Sequence, residues 1–375
     1  MTAARFQSLE FSQPRAATWI PAIDGLRALC VIAVVAHHAN SAAFSGWALG
    51  NVGVAVFFSI SGFFAYYVLW HDEQKRGRID YNFYLTRRTL RIWPTYFVVI
   101  FAASALYHAI PTAALFTFTL NLEMGLWREW PLSGLAPLWS IAVEEQFYLV
   151  APLFYLALRS RHAAGFIVVV FAASNLARGL HILFANHASG NGGLYYMTYS
   201  YGDTFLGGAI VAHLHLRGWR ASQPLLVAVM GFAALVGITL TWKAFPPYTW
   251  TAALPYSMLP LAGALVTVAC LSDGLLARVL ATVPMRAIGR LSYSIYLVHL
   301  LVLNGIGGFF APESVVAFNF AAGILIVVLA FCLYIFVEWP FLIVKSALTS
   351  GLPWPSAIVL SIGAVATGLM MLAFS

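Results

Sequence analysis

The chain has 375 residues and a net charge of +7, and 61% of its residues are hydrophobic against only 9% charged. Its mean hydropathy is +0.84, whereas soluble domains carry about 25% charged residues. These values exclude a soluble globular domain, and they give the basic excess a topological meaning rather than that of a nucleic-acid footprint. Cys30, Cys270 and Cys332 all lie in apolar segments, which argues for inert core residues and against a disulfide framework.

Residues 1–18 are polar and mixed, and the apolar run that follows is long and has no small-residue cleavage site, so a cleaved signal peptide is not expected. Runs of about 20 apolar residues read as spans. They fall near 20–42, 50–70, 92–110, 137–158, 164–184, 198–216, 223–242, 249–271, 290–310, 316–342 and 353–374. The stretch 111–136 is broken by Pro111, Pro131 and Pro137 and reads as a long outer loop with partial helices. The expected fold is an all-α polytopic transmembrane bundle of 10–11 spans. Residues 1–19 form a cytoplasmic segment, 20–346 the main membrane domain and 347–375 a further span.

A cytoplasmic N-terminus satisfies the positive-inside rule. Arg5, Arg15, Lys75, Arg76, Arg78, Arg87, Arg88, Arg91, Arg159, Arg161, Arg217, Arg220, Arg278, Arg286, Arg290 and Lys345 then all face inward. Only Arg128 and Lys243 fall in outer loops, and Arg27 and Arg178 lie within spans. The expected location is the inner (plasma) membrane.

The first span carries Asp24, Arg27, His37 and His38. Ionisable groups inside a span cost at least ~2.5 kcal/mol each and mark functional sites. Arg27 and His38 are eleven residues apart, three turns plus about 20°, so they share a face about 16 Å apart along the axis. One reading is packing, with Asp24 paired to Arg27 and the histidine bonded to a backbone carbonyl. The other is catalytic: His38 as general base and Arg27 as a fork of donors for an anion. His37, offset by about 100°, faces elsewhere.

Arg87, Arg88 and Arg91 follow the second span. They read either as ordinary membrane anchoring or as one helix turn that offers three guanidinium groups to a polyphosphate. Trp139, Ser140, Glu144, Glu145 and Tyr148 open the fourth span. The adjacent carboxylates point about 100° apart; they are a hub for Arg178, or one of them orients a hydroxyl substrate or the histidine. Glu144 or Glu145, Asp203, Arg178 and aromatic groups near Trp139 and Tyr148 are expected to line an acceptor site open to the outer face, with Tyr195, Tyr196, Tyr199 and Tyr201 adding flat faces suited to sugar rings. Ser292, Tyr296 and His299 share one helix face, and Glu338-Trp339-Pro340 ends the tenth span. No metal-ligand set is expected.

Six segments in order, from about Ala22 to Phe341, resemble the acyltransferase-3 family of integral membrane acyltransferases. They are Arg27 with His38, the Gly53–Phe63 run, Arg87-Arg88 with Arg91, Trp139-Ser140 through Tyr148, Ser292-Tyr293 through His299, and Glu338 with Pro340. The resemblance implies an acyl-CoA-dependent O-acyltransferase that moves an acyl group, most often acetyl, from cytoplasmic acyl-CoA to a hydroxyl of an extracytoplasmic or lipid-linked carbohydrate. It implies catalytic roles for His38 and Arg27 and a functional role for the Arg87–Arg91 cluster, and the placement of Glu144 and Glu145 within a span adds them as candidate catalytic carboxylates. Arg27, Arg87, Arg88 and Arg91 would hold the donor; Trp139, Ser140, Tyr148, Asp203, Tyr296 and His299 would face the substrates. Acyl-CoA enters as a donor substrate, with no tightly bound cofactor. The expected partners are the lipid bilayer, acyl-CoA and the carbohydrate acceptor, and a homo-oligomer is compatible with the sequence. The chain is expected to act without the periplasmic esterase-like domain of some relatives. Direct transfer and a covalent acyl-histidine are both open, as are a small glycosylated acceptor and a non-enzymatic transporter of glycan precursors. The inverted repeats of a secondary transporter are not apparent in the sequence.

Overall fold

A computed structural model describes residues 19–39, 48–127, 131–184, 192–244, 250–307 and 314–349. The long helices are α1 (Pro21–Ala39), α2 (Leu49–Arg76), α3 (Tyr81–Tyr107), α4 (Leu138–Arg159) and α5 (Ala163–Phe184). They continue with α6 (Gly202–Leu216), α7 (Pro224–Thr241), α8 (Leu254–Cys270), α9 (Val283–Ile306), α10 (Val315–Leu333) and α11 (Trp339–Thr349). The chain forms an all-α polytopic bundle. Among the described residues, nine helical segments are long and apolar enough to cross a membrane. The sixth expected span, 198–216, is the shorter α6, and the eleventh, 353–374, lies outside the described residues.

At 15 residues, α6 is about 22 Å long, less than a ~30 Å hydrocarbon core. The short helices Gly192–Tyr196 and Thr198–Ser200 precede it. Irregular backbone is tolerated at membrane depth where protein covers it, and α6 packs on α2 and α8 with Thr204, Phe205 and Ala212 buried. The crossing with α2 depends on glycine. Gly62 lies against the backbone of Phe205 and Gly208 against that of Ser59, so a Cβ at either position would overlap main chain. Such small-residue seams replace the hydrophobic effect as the source of helix association in lipid.

Two helix boundaries differ from the hydropathy reading and position the site. α2 continues to Arg76, where Gly77 closes it at φ 72°. α3 begins at Tyr81, capped by the Asp80 carboxylate, which accepts from the Phe83 N–H at 3.0 Å. The expected span 92–110 therefore starts eleven residues earlier, at the cap, because polar residues that hydropathy scores as loop are stabilised as helix by capping and by partners inside the protein. Arg87, Arg88 and Arg91 are helical residues of α3 instead of a surface patch. The segment 111–136 holds short helical pieces at Ala113–Thr117, Leu120–Leu122, Glu123–Trp127 and Ser133–Leu135, in line with the partial helices expected there.

Candidate active site

One face each of α1, α2, α3, α4 and α9 turns inward around a cavity of about 750 Å³. The helical period makes these faces: Ser140, Glu144 and Tyr148 are spaced by four on α4, and Phe57, Ser61, Phe64 and Val68 by three or four on α2. α1 adds Asp24 and Arg27, α3 adds Arg88 and Arg91, and α9 adds Arg290, Ser292, Tyr293 and Tyr296. α10 ends in a single π-helical turn, Tyr334–Glu338, which sets Tyr334 and Glu338 on the cavity wall beside Lys345 of α11. One end of the cavity is thus lined by Arg27, Arg88, Arg91, Arg290 and Lys345 against Asp24, Glu144 and Glu338. The other end is lined by Val54, Phe57, Phe58, Ile141 and Tyr296.

Polar contacts hold the lining. Ser61 donates to the Glu144 carboxylate, and Ser294 donates to Glu338 at 2.9 Å. The Arg88 guanidinium lies 4.7 Å from the centre of the Tyr148 ring and 5.6 Å from that of Tyr84. Ser140 and Tyr296 share a hydrogen bond of 2.7 Å, and the Tyr296 hydroxyl donates to the Pro137 carbonyl at 3.0 Å. Behind Tyr296 on α9 lies His299, wholly buried, with its Nε2 3.0 Å from Nδ1 of His38. His38, near the end of α1, is exposed and is not among the residues that line the cavity.

The structure separates several residues that sequence spacing grouped. Arg87 turns away from the cavity and pairs with Asp72 at 2.7 Å, so the three arginines do not act as one cluster. The cause is the 100° step of the helix, which leaves Arg88 and Arg91 inward while Arg87 meets the end of α2. Glu145 likewise points away from Glu144 and accepts from the Trp93 indole at 3.0 Å. Asp203 and Arg178 form a buried pair at 2.5 Å, joined by the Ser200 carbonyl and Asn175, so neither carboxylate of α4 uses Arg178. Asp203 does not line the cavity, and the expected outer grouping of Glu144, Glu145, Asp203 and Arg178 does not form. Glu144 and Tyr148 join the arginine end instead. Trp139 packs within an aromatic cluster with Phe58, Tyr195, Tyr196 and Tyr201, at ring-centre distances of 4.5–6.2 Å. Asp24 accepts from the Trp19 indole at 2.8 Å rather than closing on Arg27.

Arg290, Lys345, Glu338 and Ser61 were not singled out as site residues by sequence. The first two counted as topological charges, and nothing local tells a charge that lines a cavity from one that anchors a helix end. Glu338, a carboxylate closing an apolar span, carried the one usable signal.

A polytopic helix bundle enclosing a cavity with a cationic end, with a histidine pair behind the far wall, defines an integral membrane protein built around an internal site. Residues 20–342 match the acyltransferase domain, and the chain belongs to the acyltransferase-3 family. It is similar to the O-acetyltransferase OatA of Staphylococcus aureus strains NCTC 8325, COL and MRSA252, at 27% identity over 352 residues. That match covers 86% of this chain and 57% of each relative, so the chain spans a little over half the length of the curated proteins it matches. No solved structure matches it.

Proposed function

We propose that this protein is an O-acyltransferase that moves an acetyl or similarly short acyl group from cytoplasmic acyl-CoA to a hydroxyl of a carbohydrate on the other side of the membrane. The observation that carries this reading is the two-ended cavity. Its cationic end suits the phosphates of a coenzyme A, and its apolar end suits a pantetheine arm with a small acyl group. Arg27, Arg88 and Arg91, with Arg290 and Lys345, would hold the phosphates. The Phe57 and Tyr296 rings meet edge to face with centres 6.4 Å apart, and they would have to part for the acyl group to reach His38. The positive-inside distribution supports a cytoplasmic arginine end and an inner-membrane location. The likeness to O-acetyltransferases supports transfer of an acetyl group to a hydroxyl oxygen.

In this scheme His38 takes the proton of the acceptor hydroxyl while the oxygen attacks the thioester carbonyl. The C–O bond forms, the C–S bond breaks, and the proton follows to the coenzyme A thiolate. Glu144, held by Ser61, balances the arginines around the donor. The test is direct. Purified protein is given radiolabelled acetyl-CoA and a panel of soluble oligosaccharides, and ester-linked label and free thiol are measured together. Stoichiometric ester and thiol are expected. Coenzyme A binding with no ester formed on any hydroxyl, and no change in the O-acetyl content of surface glycans when the gene is removed, would overturn the proposal.

A further inference from the structure

His299 and His38 are joined in a way that fixes the protons on both rings. His299 is wholly buried on α9, and its Nδ1 lies 2.6 Å from the carbonyl oxygen of Tyr296. A carbonyl only accepts, so Nδ1 of His299 carries the hydrogen. A charged ring at a fully buried position is costly, and a neutral imidazole has a single N–H, so Nε2 of His299 presents its lone pair. That lone pair faces Nδ1 of His38 at 3.0 Å, with the ring centres 5.0 Å apart. Two lone pairs cannot share a hydrogen bond; Nδ1 of His38 therefore donates. The Val34 carbonyl one turn back on α1 also accepts from the His38 ring; a neutral ring has one N–H, so this carbonyl shares the Nδ1–H with His299, and the other nitrogen, Nε2, keeps its lone pair.

We propose that His299 is a positioning residue that selects this tautomer, so that Nε2 of His38 is the basic atom. The inference rests on the reading of His38 as the general base. When Nε2 takes the acceptor proton, the Nδ1–H of the resulting imidazolium still donates to His299, and that bond becomes charge-assisted as the base becomes positive. The proton on Nε2 then passes to the departing thiolate, and both rings return to their starting state. The chain of bonds runs from a backbone carbonyl through a neutral histidine, where many base–orienter pairs use a carboxylate.

The test compares His299→Leu, His299→Gln and His299→Asn, with acetyl-CoA as donor and, as acceptor, the oligosaccharide that gives the highest wild-type rate. Coenzyme A affinity serves as the check on folding. Leucine keeps apolar volume and removes the acceptor, so kcat should fall about 100-fold or more while the KM for acetyl-CoA stays within twofold. Glutamine restores an acceptor with comparable reach and should recover at least tenfold of that loss. Asparagine is too short and should not. In a His38→Ala background, His299→Leu should cost nothing further. Wild-type kcat in a folded His299→Leu protein, or an additive loss in the His38→Ala background, would overturn the proposal. Where the leucine variant does not fold, equal kcat for glutamine and asparagine would overturn it. A His38→Ala protein with wild-type turnover would instead sink the underlying assignment of the base.

Discussion

The separation of Arg87 from Arg88 and Arg91 gives the sharpest test of the donor site. By spacing, the three arginines are equivalent members of one helix turn. In the bundle, Arg88 and Arg91 line the cavity, whereas Arg87 is 9% exposed and bound to Asp72. A hydrogen bond to a charged group contributes about 1.5–3 kcal/mol, so Arg88→Gln and Arg91→Gln should each weaken coenzyme A binding by roughly 10- to 150-fold. The loss should shrink as salt rises, since the Debye length falls from about 10 Å at 0.1 M to about 3 Å at 1 M. Arg87→Gln should leave coenzyme A affinity within about twofold of wild type and act on stability instead. Breaking a buried pair from one side costs about 3–5 kcal/mol, an upper bound here because the pair is 10% and 12% exposed. The double variant Arg87→Gln/Asp72→Asn should recover part of that loss. Calorimetric titration with coenzyme A at 0.05 and 0.5 M salt, beside thermal unfolding in the same detergent, reads both quantities. Equal loss of affinity in all three single variants would refute the geometric argument and return the cluster to the undivided form that spacing suggests.

Three further outcomes are expected. His38→Ala should lower acetyl transfer by about 100-fold or more while leaving coenzyme A affinity unchanged, because His38 is not part of the cavity lining; a matching loss of binding would count against this. Phe57→Ala should open the apolar end of the cavity and raise the rate with butanoyl- and hexanoyl-CoA relative to acetyl-CoA, measured as thiol release. An unchanged chain-length profile would show that the apolar end does not gauge the acyl group. Arg178→Leu should destabilise the bundle by several kcal/mol by leaving Asp203 buried and unpaired, with much of the loss recovered in Arg178→Leu/Asp203→Leu. A specific loss of transfer in a stable double variant would instead assign that pair to the acceptor site.

Much of this protein is legible in its sequence, because a bilayer makes the constraint one-dimensional. Each crossing needs a long apolar run, and each ionisable residue inside one must have a reason to be there. Hydropathy alone yields the all-α bundle and ten of the helices described. It also marks Arg27, His38, Glu144 and Glu338 as residues that a passive span would not keep, and their order along the chain carries the family resemblance. Helix limits were legible only where apolar content decided them. α3 gains its first three turns or so from the Asp80 cap and from partners inside the bundle, which no hydropathy window registers.

Tertiary structure alone decided which charged side chains meet. A helix turns 100° per residue, so Arg87 and Arg88, or Glu144 and Glu145, adjacent in sequence, reach different neighbours, and those neighbours come from helices far away in the chain. Lys345 and Arg290 enter the cavity lining only because α9 and α11 close beside α3, and Arg178 finds Asp203 instead of Glu144 because α6 sits next to α5. The contact between His38 and His299 spans 261 positions of sequence. Its hydrogen-bond direction depends on a backbone carbonyl whose place no side-chain pattern encodes. Composition and spacing determined that this chain crosses the membrane and where its ionisable groups lie along each helix; the packing of those helices determined which groups share a cavity, which are spent on stability, and which nitrogen of His38 is left basic.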